Sequence, residues 1–155
     1  WHITDGAMSD TNSKLHMTAK DISFQKKSGI FKTTLSITDT NGKKLTAGKD
    51  YDKKVTYTYV NDTQVSTATG SQILRKAGEA VASEDIINAG TQLRATVKGI
   101  GAYAGTGNAS LSTTYRIVTA DIAKAKIKIA VKTYQNGRES QLDPSDIKLT
   151  INNTE

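Results

Sequence analysis

Alternation of apolar and polar residues is the feature of this chain that most limits its fold. In segment 54–59, Val55, Tyr57 and Tyr59 share one face, and Thr56 and Thr58 share the other. Successive side chains of a strand point to opposite faces, so a period of two indicates a half-buried strand. The same pattern recurs at 35–37, 92–98, 111–117, 126–132 and 146–151. Several such antiparallel strands predict an all-β fold, either a β-sandwich or a small barrel.

The alternation also predicts which side chains are buried. A slip of one residue in strand pairing would turn the whole apolar set toward solvent, so only one facing is consistent with a core. The residues predicted to point inward are Leu35, Ile37, Val55, Tyr57, Tyr59, Leu93, Ala95, Val97, Leu111, Tyr115 and Ile117.

Segment 72–87 has a different pattern from the strands. Its apolar residues recur at helical spacing, which favours a helical turn, although Gly78 weakens that interpretation. The apolar residues concerned are Ile73, Leu74, Ala77 and Val81. Elsewhere Asn41-Gly42 and Asn136-Gly137 supply the positive φ that tight hairpin turns require.

Composition removes most enzyme classes. The chain has 155 residues, no cysteine and two histidines, so disulfides, thiol catalysis and thiolate metal sites are excluded. Asp50, Asp52 and Asp62 do not form a calcium-loop pattern and are interpreted as solvated loop carboxylates. No base is spaced to activate a nucleophile. The sequence therefore predicts a non-catalytic protein that needs no cofactor and no metal.

Several motifs, in order, resemble a known repeat. They are Leu45–Tyr51, Val55–Tyr57, Ile87–Thr91, Thr96–Thr106 and Tyr115–Val118. Across about residues 19–119 the chain resembles the bacterial immunoglobulin-like repeats of large cell-surface and secreted proteins of Gram-positive bacteria, many from the gut. The resemblance implies an antiparallel immunoglobulin-like β-sandwich and a module of a stalk or adhesin. It also implies an extracellular location, at the bacterial surface or secreted.

The domain organisation follows from these assignments. Residues 1–14 are interpreted as a tag remnant and linker, with order beginning between Leu15 and Ile22. Residues 15–119 form the immunoglobulin-like module. Ala125–Ile129 can be aligned with Ala19–Ser23, and Ile147–Ile151 with Thr34–Ile37. Residues 120–155 are therefore interpreted as the opening strands of a second, truncated module.

The long connection from Asn61 to Ile87 is the predicted partner-binding region, since long loops are usually functional or disordered. Its candidate contacts are Ile73, Leu74, Arg75 and Lys76, and the alternative is that the segment supplies an extra strand. Tyr103 is a further candidate that either stacks on a sugar or packs across the end of the fold. The backbone of an edge strand is a second resource for binding.

Two functions remain open. The first is a binding module that recognises a host protein, such as an immunoglobulin or glycoprotein, or a polysaccharide. The second is a structural spacer that contacts only neighbouring repeats. A row of lysines, Lys126, Lys128 and Lys132, either meets an anionic wall partner or guards a strand edge. No aromatic residues interleave with this row and no apolar run is long enough to span a bilayer, so neither nucleic-acid binding nor membrane insertion is predicted.

Overall fold

In a computed structural model of the protein, the regular secondary structure of the described residues is almost entirely β-strand. The structure describes residues 6–105 and 109–120, together with the backbone of the strands at 126–129 and 147–150. The chain divides into two compact units, Trp1–Val118 and Thr119–Glu155. Within the described residues the one helical element is a short 3₁₀ turn at Gly101–Tyr103. The predicted all-β class is confirmed.

The described residues of the first unit form eight strands in three sheets. The central sheet has the order β2-β8-β7-β4, in which β7 lies antiparallel to both β8 and β4, and β2 pairs with β8 in parallel. Two smaller sheets pair β1 with β3 and β5 with β6. The strands are β1 (His16–Ala19), β2 (Ile22–Ser23), β3 (Leu35–Thr38), β4 (Thr56–Tyr59), β5 (Thr63–Ser66), β6 (Gln72–Arg75), β7 (Gln92–Lys98) and β8 (Ser110–Val118).

The predicted inward face is confirmed. Along β7 the side chains alternate as the sequence predicts, with Leu93, Ala95 and Val97 at 0% exposure and Arg94 exposed. The residues of the predicted set that are fully buried are Ile37, Tyr59, Leu93, Ala95, Val97, Leu111, Tyr115 and Ile117. Leu35, Val55 and Tyr57 are half-buried and pack against the core.

Aromatic rings organise the larger of two core clusters. Tyr57 makes edge-on contacts with Phe31 and Tyr115, at ring-centroid distances of 5.4 and 6.4 Å. The Tyr115 hydroxyl donates a hydrogen bond to the Phe31 carbonyl, so its polar end is satisfied inside the core. Burial raises the pKa of Tyr115 above its ordinary value. The contacts hold the segment around Phe31 against the central sheet.

The helical turn predicted within 72–87 is wrong for its first residues. Gln72–Arg75 is strand β6, which pairs with β5 in a hairpin. The turn between them places Gly70 at φ 84°, a conformation that favours glycine. In this pairing Val65 lies opposite Ile73 and is completely buried. Strand pairing and burial thus override the local helical spacing, and the alternative of an extra strand is the one observed.

Ordered packing begins earlier than the sequence predicts. Met8 is 1% exposed within the second core cluster, and its backbone N–H donates to the Tyr103 carbonyl at 3.0 Å. The Asp10 carboxylate accepts hydrogen bonds from the backbone N–H and hydroxyl of Ser112, at 2.6 and 2.7 Å. These contacts place residues before Leu15 on the module rather than in a free linker.

The second unit contains two described strands, β9 (Lys126–Ile129) and β10 (Ile147–Thr150). They pair antiparallel, with Ile147 opposite Ile129. Both lie within segments that the alternation predicts to be strands. Lys132 and the predicted turn at Asn136-Gly137 lie outside the described residues, as do the side chains of Lys126 and Lys128.

The assignment of the two faces of β7 predicts a contrast between neighbouring substitutions. We expect Leu93→Ala to lower the free energy of unfolding by about 2–5 kcal/mol, because it leaves a cavity in the core. Arg94→Ala, on the exposed face, should change it by less than about 0.5 kcal/mol. Urea unfolding measures both. A comparable loss in the two variants would contradict the assigned facing.

Candidate functional site

A buried carboxylate, that of Asp85, lies beneath the β5–β6 hairpin. The residue is 0% exposed. Arg75 donates to it through Nη2, at 2.8 Å from Oδ1, and through Nε, at 3.1 Å from Oδ2. The Tyr59 hydroxyl and the Ala82 backbone N–H also donate to Oδ2, at 2.8 and 3.1 Å. A buried charge needs such compensation, and here both oxygens are satisfied.

Arg75 is also shared with carboxylates on its outer side. Its Nη1 lies 2.8 Å from Oε1 of Glu79, while Glu84 is more distant at 3.5 Å. The hydrogen bonds to Asp85 and Glu79 raise the pKa of Arg75. The pKa of Glu79 is lowered, first by the Lys76 backbone N–H and then by Arg75. Arg75 therefore remains charged, and its guanidinium is bound by carboxylates of its own chain.

Tyr59 is kept in its neutral form by the same network. Burial raises the pKa of Tyr59, and its hydrogen bond to Asp85 raises it further. Its hydroxyl therefore serves Asp85 as a hydrogen-bond donor and is not a candidate base.

The structure distributes the predicted contact residues among different roles. Ile73 is half-buried and packs against the core, while Leu74 is 56% exposed. The Arg75 side chain is 15% exposed within the Asp85 network. Lys76 pairs with Asp62 at 2.8 Å on the surface, and this hydrogen bond lowers the pKa of Asp62. Tyr103 is 7% exposed in the second core cluster, which agrees with packing rather than stacking.

The edge of β4 is already covered. Val81 N–H donates to the Tyr57 carbonyl and Tyr59 N–H donates to the Glu79 carbonyl, each at 3.0 Å. These bonds place the segment after β6 alongside β4, so a partner strand cannot be added there without displacing it.

The residues that follow Asp85 connect two surface segments. The Asp85 carbonyl accepts the Gly29 N–H at 3.1 Å. Ile86 and Ser66 exchange backbone hydrogen bonds at 2.7 and 3.2 Å. The loop 24–28 and the β5–β6 turn are therefore both attached to one short segment, and they form the two walls of a groove.

This groove, which we call the hairpin groove, has a volume of about 580 Å³. That volume lies within the range of about 300–1,000 Å³ typical of ligand sites. Ile86 and Asn88 line the groove from the segment to which both loops are attached. Its walls are formed by Phe24, Lys26, Lys27, Ser28, Ser66, Thr67, Ala68 and Gly70.

The chemistry of the hairpin groove suits binding rather than catalysis. Lys26 and Lys27 contribute positive charge, and none of the described aspartates and glutamates lines the groove. Phe24, Ala68 and Ile86 supply apolar surface beside hydroxyl and amide groups. Within the described part of the chain no group of three histidine, aspartate or glutamate side chains is placed to hold a metal ion.

Sequence reasoning did not identify the residues of this groove. Lys26 and Lys27 are adjacent lysines before Gly29, a signal that marks a polar turn but not a site. Ala68 and Gly70 lie in the long connection from Asn61 to Ile87, ahead of its candidate contact residues, and form the turn of the β5–β6 hairpin. Only the folded chain brings these two loops to face each other.

No protein-family model matches the chain, and no curated protein or solved structure matches it. In the ranges that the structure describes, no helix is both long enough and apolar enough to cross a membrane. The fold and the geometry of the hairpin groove are therefore the observations that bear on function.

A buried and an exposed ion pair of the hairpin should contribute very differently to stability. Asp85→Asn removes the charge that faces Arg75 in the core, and we expect it to lower the free energy of unfolding by about 3–5 kcal/mol. Asp62→Asn removes the charge that faces Lys76 on the surface, where an ion pair contributes little. Urea unfolding of the two matched variants tests this difference. Equal losses would show that the buried network has no special role.

Proposed function

We propose that the chain is a non-catalytic binding module of a bacterial cell-surface or secreted protein, and that it recognises a glycan. The proposal includes an immunoglobulin-like sandwich for the first unit, as the sequence resemblance implies. The hairpin groove is the observation that supports a binding function. Both of its walls are hydrogen-bonded to the same segment, Asp85 and Ile86. A groove held in shape before binding avoids part of the entropic cost of ordering loops around a ligand.

The composition of the surface favours a glycan over a large protein interface. Protein interfaces concentrate their binding energy in aromatic and arginine side chains. Among the described residues, the exposed large hydrophobic side chains are Leu74 and Val118, both aliphatic. Arg75 is engaged internally, and the exposed Arg94 and Arg116 do not line the groove. A host glycoprotein, including an immunoglobulin, would in this proposal be recognised through the sugar that it carries.

A structural spacer is the second candidate. Three of the predicted contact residues support it, because they interact within the chain. Ile73 packs against the core, Arg75 pairs with Asp85, and Lys76 pairs with Asp62. A spacer gains rigidity from such bonds and needs no ligand. The two candidates predict different results for a substitution that fills the groove. It should abolish glycan binding in a binding module, whereas a spacer has no such binding to lose.

A glycan array distinguishes the binding module from the spacer. We expect the native protein to bind a defined subset of glycans, and Ala68→Trp to lose that binding because the larger side chain fills the groove. Ala102→Trp, at an exposed position outside the groove, is the matched control and should bind as the native protein does.

Thermal unfolding of the three proteins checks that the substitutions leave the fold intact. Absence of binding to every glycan would favour the spacer. Binding that survives Ala68→Trp in a folded protein would move the site away from the hairpin groove.

A further inference from the structure

The cations of the hairpin groove differ from those of the adjoining hairpin. Arg75 and Lys76 each lie 2.8 Å from a carboxylate oxygen of the same chain. Lys26 and Lys27 are exposed, and among the described residues neither takes part in an ion pair. No carboxylate in the part of the chain that the structure describes therefore pairs with either charge.

The position of these two lysines makes their charge available to a ligand. Both line the groove, and the other lining residues are uncharged. The two acidic residues that precede Ile86 do not line the groove: Asp85 is buried and bonded to Arg75, and Glu84 lies 3.5 Å from Arg75. A concave surface that carries charge of one sign attracts an ion of the opposite sign.

The uncharged residues that line the groove indicate which kind of molecule carries the anionic group. Phe24, Ala68 and Ile86 present apolar surface, and Ser28 and Asn88 present hydrogen-bonding groups. A sugar ring combines an apolar face of C–H groups with a rim of hydroxyl groups, so it matches both. A bare inorganic ion would leave the apolar wall unused and would not need a groove of about 580 Å³.

We infer that the hairpin groove is a subsite for a carboxylated sugar. Its carboxylate lies at Lys26 and Lys27, and its ring lies between loop 24–28 and the β5–β6 turn. This inference rests on the proposed glycan-binding function and specifies the ligand class. Uronic acids and sialic acids share the required chemistry, which is a six-membered sugar ring that bears a carboxylate.

Titration calorimetry at low salt, with the whole chain, tests the inference. The probes are sialyllactose, a glucuronate-containing disaccharide and neutral lactose. We expect at least one acidic probe to bind about tenfold or more tightly than lactose, as one charge-assisted contact allows. Whichever acidic probe binds identifies the source of the carboxylate.

Matched lysine pairs show whether the charge acts locally. The variant Lys26→Gln/Lys27→Gln should lose the preference for the acidic probe. The variant Lys43→Gln/Lys44→Gln removes two adjacent exposed lysines outside the groove and should retain it. Ala68→Trp, which keeps every charge, should abolish binding of the acidic probe.

The outcomes separate this inference from the proposed function. Equal binding of lactose and both acidic probes, lost in Ala68→Trp, would overturn the carboxylate subsite and leave a glycan site. Equal losses in the two lysine variants would show attraction by net charge alone and would also overturn it. Binding of no saccharide in calorimetry or on the array would overturn both.

Discussion

The ion pair between Asp85 and Arg75 is the interaction on which the candidate site depends. A carboxylate with no exposure must be compensated by charge and hydrogen bonds, and Arg75 and Tyr59 provide both. Arg75 belongs to β6 and Tyr59 to β4, so their hydrogen bonds to Asp85 link the β5–β6 sheet to the central sheet. The hairpin is thereby fixed against the core, into which its own Val65 and Ile73 pack.

The main chain extends this constraint to the surface. Asp85 and Ile86 hold Gly29 on one side and Ser66 on the other through backbone hydrogen bonds. The width of the hairpin groove is thus set by bonds that do not involve its lining side chains. The lysines on the wall are free to vary in chemistry without disturbing the scaffold, which is the usual relation between a rigid fold and its binding loops.

The sequence predicts the strands that have one buried face, and it fails where burial comes from tertiary contacts. Strand β7 has the predicted bounds, Gln92–Lys98, because its alternation is uninterrupted. In β6 the adjacent Ile73 and Leu74 break the alternation, so its strand character depends on pairing with β5. The sequence predicts Arg75 as a partner contact, whereas in the structure it pairs with Asp85. The burial of this loop aspartate cannot be read from the sequence. The groove itself requires two loops that are distant in the chain.

Amide hydrogen exchange of the native protein and of Asp85→Asn tests most directly whether the buried ion pair sets the geometry of the groove. We expect the central amides of β7 in Asp85→Asn to lose only the protection that corresponds to the lower free energy of global unfolding. Gly29, Ser66 and Ile86, whose N–H groups hold the walls, should exchange in the same variant through a local opening of lower free energy than global unfolding. Wall amides whose opening free energy in Asp85→Asn equals that of the native protein would contradict this dependence on the ion pair.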